Sequence, residues 1–233
     1  MIISYLLSGD FETALINFLV LAFVVLCINP IHEYAHAFAA YKLGDNTAKL
    51  QGRLTLNPLA SFDLFGTLMF LLVGIGWAKP VPINSRNFKK VSQRTGVVIT
   101  AAAGPLSNLI AAFISTLVVA AIYRFAPYSD AFYYVRIAFL LLAQINIMLA
   151  VFNLIPLPPL DGSRIAAGVL PDKIYFKIFK YDNIIRNALM GFMLLAMILN
   201  RFNIDLFYPI RWVENVVLSG FLNLSCLIFG VTV

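Results

Sequence analysis

The sequence predicts an all-α polytopic membrane protein with about five spanning helices and a short re-entrant or membrane-associated β-loop region. Three observations predict it. Hydrophobic residues make up 61% of the 233 and charged residues 12%, with a mean hydropathy of +0.87, which is far from soluble globular usage. The apolar residues gather into runs long enough to cross a ~30 Å hydrocarbon layer, which takes ~20 helical residues. The positive charges, net +6, are scattered between these runs and form no block, a pattern that fits membrane topology and excludes a nucleic-acid footprint. One integral-membrane domain is expected over residues 1–233, with its core at about 14–165 and additional spans at about 184–233.

In chain order, residues 1–13 hold Asp10 and Glu12 but neither a basic segment nor a small-residue cleavage site, so the run from Ala14 to Tyr41 is expected to be a retained span. Gly44 is its expected C-cap, and Pro30 removes one backbone hydrogen bond within it. Residues 46–58 alternate polar and apolar between turn formers, which predicts short strands. Leu64 to Trp77 is short for a crossing and contains Gly66, Gly74 and Gly76, so it is expected to re-enter or to lie along the surface. Ala78 to Asn84 is extended by Pro80 and Pro82. Further spans are expected at Gly96–Tyr123, Phe132–Ile155 and Trp212–Val233, with a shorter one at Ala188–Leu199 that could start at Ile184. Cys27 and Cys226 lie in separate apolar runs and read as packing residues.

Loop charges orient the chain. Loops 42–62, 77–95 and 156–183 carry three, five and four Lys or Arg, whereas 1–13, 124–132 and 201–211 carry none, one and two. Twelve against three makes the first set cytoplasmic. The assignment is self-consistent only if residues 64–77 enter and leave on one side.

Within the first span stands Asn29-Pro30-Ile31-His32-Glu33-Tyr34-Ala35-His36, which contains both histidines of the chain. Four residues apart on a helix, His32 and His36 share a face, the spacing that grips one tetrahedral zinc. Glu33 sits one step round, placed to take a proton from water at the metal. The pattern H-E-x-x-H therefore points to a hydrolytic zinc site. With no histidine left, the third ligand must be a carboxylate, a cysteine or something weaker. Asp63 and Asp161 are the acidic residues in apolar context after the motif. Asp161 has the stronger case, because it follows a span that descends to the side His32 and His36 approach. It also sits in proline-broken backbone, which only a protein-lined cavity tolerates at membrane depth.

The pair of signatures, His32-Glu33-x-x-His36 and Asn153-x-x-Pro156-x-Pro158-x-x-Asp161-Gly162, resembles the site-2 protease family of intramembrane zinc metalloproteases (peptidase family M50). Gly52 to Pro58 and Gly104-Pro105-x-x-Asn108 are similar to its small bacterial members, which lack PDZ and CBS domains. The resemblance covers roughly residues 20–165. It implies one zinc per chain held by His32, His36 and Asp161, with Asn153 beside it. It also implies that residues 46–58 and 77–84 are membrane-associated strands whose free edge pairs with an unwound substrate. Ser61-Phe62-Asp63-Leu64 departs from the His-Ile-Asp-Pro common in small members.

The leading expectation is an intramembrane endopeptidase of the cell membrane with its active site toward the cytoplasm. Glu33 is its general base, and Asn153 hydrogen-bonds the oxyanion. Its partners would be the bilayer and a transmembrane protein or peptide substrate, with a homo-oligomer also possible. Two alternatives stand beside it. One is a membrane zinc enzyme using Glu214 as third ligand; the other is a transporter or channel with a metal site, which would show internal symmetry.

Overall fold

The computed structural model describes residues 9–73, 76, 78–171, 180–200, 202 and 204–231. The chain opens with α1 (Phe11–Phe23), whose N-terminus is capped by Asp10 accepting from the Thr13 amide. A π-helical turn over Val24–Ile28 leads directly into α2 (Asn29–Leu43). The wide turn has a cause in the sequence: Pro30 cannot donate to the carbonyl four residues back and its ring crowds that carbonyl, so the ladder loosens just before it. Asn29 N–H instead reaches the Val24 carbonyl. Gly44 ends α2 in the left-handed region at φ 113°, as expected for a glycine C-cap.

Residues 46–61 form no strand. They fold into two short helices, α3 (Thr47–Leu50) and α4 (Pro58–Ser61), joined by turns. The alternating pattern is overridden by local hydrogen bonds. Asp45 accepts from the Thr47 amide at 3.0 Å and Asn57 from the Leu59 amide at 3.0 Å, and each such turn commits the chain to helix. Asp45 is 1% exposed, and Asn87 Nδ2 and the Asn84 amide also donate to it, at 2.8 and 2.7 Å. Burial alone would raise its pKa, but these donors outweigh burial and hold the carboxyl below its usual range.

Next comes α5 (Leu64–Val73), started by Asp63 accepting from the Gly66 amide at 2.7 Å. Residues 74, 75 and 77 of the expected re-entrant run lie outside the described residues. Lys79 N–H donates to the Ser61 carbonyl at 2.9 Å, so the excursion that contains α5 begins and ends at one place. Residues 78–84 are neither helix nor strand, and Asn84 at their end has extended backbone. The amides of Lys79, Val81 and Asn84 are all bonded inward to the protein, so the expected free strand edge is not present at these donors.

The hub is α6 (Gln93–Phe125), which packs against α2, α7 (Asp130–Asn153), α8 (Asp161–Val169) and α10 (Tyr208–Phe229). Its buried residues include Gly96, Thr100, Gly104, Asn108, Ala112, Thr116 and Ala120, one small or polar residue every fourth position. That spacing lines one side of the helix and allows close approach of neighbours inside a bilayer. Thr116 shares a 2.9 Å hydrogen bond with Ser225 of α10. Leu21, Val24, Ile28 and Phe70 form one apolar cluster, and Ala112, Ala143, Ile147 and Leu218 another.

Among the described residues, four stretches are long and apolar enough to cross a membrane: Phe11–Leu43, Gln93–Phe125, Asp130–Asn153 and Tyr208–Phe229. The fifth expected span falls in α9 (Asp182–Asn200), a helix of 19 residues in which Asn183–Ala196 is a shorter apolar stretch among the described residues.

Candidate metal centre

Two helices distant in sequence bring His32, His36 and Asp161 together. α2 supplies the two imidazoles one turn apart, as H-E-x-x-H spacing requires. Asp161 opens α8 at the end of the proline-broken turn that follows α7. That turn can tuck under the end of α7 because of Gly162. A Cβ there would lie 2.2 Å from the Leu154 carbonyl oxygen, so any larger residue would push Asp161 away.

The side chains converge closely. His32 Nε2 and His36 Nε2 are 3.1 Å apart, and Asp161 Oδ2 lies 3.3 Å from the first and 3.2 Å from the second. Tetrahedral zinc with bonds of ~2.0–2.1 Å separates its donor atoms by ~3.3 Å, so the triangle has the edge lengths of three zinc ligands. Among the described residues this is the one cluster of three metal-ligating side chains.

The second ring nitrogens fix the tautomers. His36 Nδ1 lies 2.6 Å from the Thr100 carbonyl, which can only accept, so Nδ1 carries the proton and Nε2 presents a lone pair. His32 Nδ1 donates in the same way to Asn108 Oδ1 at 2.9 Å. Two lone pairs and a carboxylate oxygen facing each other at such distances repel unless a cation lies between them, so the donor set fits zinc.

Gly104 completes the geometry. A Cβ there would lie 2.3 Å from His36 Nε2 and 2.6 Å from His32 Nε2. Its bare backbone sits over the donor triangle between Thr100 and Asn108, the two residues of the same face that hold the imidazoles. The sequence marked Gly104 and Asn108 only as part of a stretch similar to small family members; the fourfold spacing through Thr100, Gly104 and Asn108 places all three on the face that meets the H-E-x-x-H motif.

Glu33 is adjacent on α2, with its Oε2 accepting from the Val81 amide at 2.9 Å. Asn153 ends α7, and its Nδ2 donates to the Leu149 carbonyl of its own helix at 2.9 Å. Asp63 is spent capping α5, and Glu214 lies on α10, outside the cluster.

An apolar helical bundle that presents H-E-x-x-H with a carboxylate from a later helix defines a membrane zinc metalloprotease. The family model described as Peptidase family M50 matches residues 128–199, the part that contains Asp161. Over 181 residues the chain is 42% identical to a Bacillus subtilis protein named "Putative zinc metalloprotease YwhC", covering 74% of this chain and 78% of that one. Proteins named Rip2 that carry the same description are 33% identical over 138 residues in Mycolicibacterium smegmatis and 34% over 145 residues in Mycobacterium tuberculosis. The matches cover 57% and 60% of this chain and 50% and 51% of the relatives. No solved structure gives a significant match. The chain belongs to peptidase family M50, is a protease, and by its family uses zinc.

A methyl group placed at Gly104 would enter the space the metal needs. In Gly104→Ala, zinc content measured by elemental analysis should fall from about one per chain to well below half, while the helical circular dichroism is retained. Full zinc occupancy in that variant would show that the triangle is not the metal site.

Proposed function

We propose that this protein is an intramembrane zinc endopeptidase that hydrolyses peptide bonds within or near the transmembrane segments of other membrane proteins. The observation that carries this reading is the convergence of His32, His36 and Asp161 beside Glu33 within a bundle of membrane-length helices. His32, His36 and Asp161 would hold one zinc per chain. Zinc bound there supplies a Lewis acid that polarises the scissile carbonyl and acidifies water. Glu33 takes the proton of the attacking water and delivers it to the leaving amine. Asn153 hydrogen-bonds the developing oxyanion after turning its amide from the Leu149 carbonyl. The catalytic core spans about residues 14–165, with additional C-terminal spans over about 184–233, of which α10 packs against α6 and α7.

A substrate helix hides its peptide bonds, so it must unwind before Glu33 and the metal can reach one. The site lies toward the cytoplasm. This rests on the loop charges, twelve Lys or Arg against three, and on the direction of α2, which carries the site toward Lys42. In otherwise cysteine-free protein, Lys89→Cys should react with an impermeant maleimide from the cytoplasmic face and Ser129→Cys from the opposite face. The reverse pattern would invert the orientation.

Binding and catalysis separate at Glu33. Glu33→Gln keeps the size and the neighbouring ligands, so zinc should remain at about one per chain. Cleavage of a single-span substrate carrying helix-weakening residues should fall by ~10² to 10⁴, the usual contribution of a general base. Equal cleavage by the variant at equal zinc would contradict the mechanism, as a metal-bearing transporter would.

A further inference from the structure

We propose that Val81 is a positioning residue for Glu33, acting through its backbone amide. This deepens the reading of Glu33 as general base and rests on it. Val81 lies in Lys79-Pro80-Val81-Pro82, where both flanking prolines lack an N–H. The prolines also bias the residues before them, Lys79 and Val81, to extended backbone. The segment is therefore stiff and offers one amide proton over three residues. That proton is donated to Glu33 Oε2 at 2.9 Å. One carboxylate oxygen is thereby fixed and the other is left for proton transfer.

The segment is anchored on both sides of this contact. Before it, Lys79 N–H binds the Ser61 carbonyl at 2.9 Å, and the Arg53 guanidinium donates to the carbonyls of Lys79 and Pro80 at 2.6 and 3.3 Å. After it, the Asn84 amide binds the buried carboxylate of Asp45 at 2.7 Å. The Val81 side chain is buried as well, in a cluster with Ala37 and Ala48 that Leu54 and Ile83 cover. Ala37 is one helical turn beyond Glu33 and shares its face of α2. Backbone and side chain of Val81 thus grip the same stretch of the helix that carries the base, and every anchor of the segment is a fixed group of the fold.

A carboxylate that must meet water in one orientation loses rate when its rotation is freed, whereas substrate affinity and metal binding need not change. Val81→Pro removes the amide proton, puts ring carbon in its place and trims the side chain, while fitting the extended backbone that Pro82 favours at this position. Val81→Ala keeps the proton and trims the packing. With a single-span substrate in detergent, Val81→Pro should lower kcat ~10- to 100-fold at unchanged KM and zinc content, while Val81→Ala stays within about threefold of wild type. Wild-type kcat in Val81→Pro, equal loss in both variants, or a loss confined to KM would overturn the proposal. Glu33→Gln is measured alongside: if it cleaves like wild type, the base reading fails and positioning fails with it. A slow Glu33→Gln with a fast Val81→Pro defeats positioning alone. Hydrogen exchange supplies a readout independent of turnover and of variant folding at position 81. In the peptide covering residues 79–84, Glu33→Ala should speed the exchange of one amide, and unchanged exchange would equally overturn the proposal.

Discussion

The close antiparallel contact between α2 and α6 is the constraint on which the rest of the structure depends. Two imidazoles from one helix must lie within 3.1 Å of each other while a second helix passes over them. This is possible only where the second helix offers no side chain. Gly104 provides that gap, and the flanking residues of the same face, Thr100 and Asn108, accept the Nδ1 protons of His36 and His32. One turn of helix in either direction from the glycine therefore sets both ring planes and both tautomers. In a bilayer, polar groups without partners are costly. Satisfying these imidazoles is thus a condition for inserting the motif as well as for using it.

The third corner of the triangle depends on a different device. Asp161 has to approach from a helix that begins after the membrane-length α7 has ended. The proline-broken turn between them brings it back, with Gly162 pressed against the carbonyls of Leu154 and Ile155. Residues 45–54 and 78–87 form the remaining side of the site. Asp45 gathers Thr47, Asn84 and Asn87 around one buried carboxylate, and this holds residues 78–84 against α2 where Glu33 stands.

Much of this was legible in the sequence, because the chemistry restricts residue type and spacing. Only two histidines exist, four apart, and Asp161 follows the one span whose end is broken by several prolines. The four long apolar runs also appear as helices, with ends within a few residues of those expected. The strands expected over 46–58 did not form. Polar and apolar alternation is a weak signal beside the side-chain-to-amide turns of Asp45 and Asn57, whose partners become evident only in the fold. The shorter run expected near 184–199 lies within α9, which is helical over Asp182–Asn200. The role of Thr100, Gly104 and Asn108 was visible as a repeat of four but had no assignable neighbour, since nothing in a sequence says which helix packs on which. The Val81 contact was hidden for the same reason, as it joins residues 48 apart through a backbone group that every non-proline residue possesses.

The central claim is that His32, His36 and Asp161 together make one zinc site. Zinc X-ray absorption on the metal-loaded protein tests it directly. Two imidazole nitrogens and carboxylate oxygen should appear at ~2.0–2.1 Å, with the imidazole scattering reduced by one ring in His36→Ala. A sulfur shell at ~2.3 Å, or a spectrum unchanged by that substitution, would contradict it.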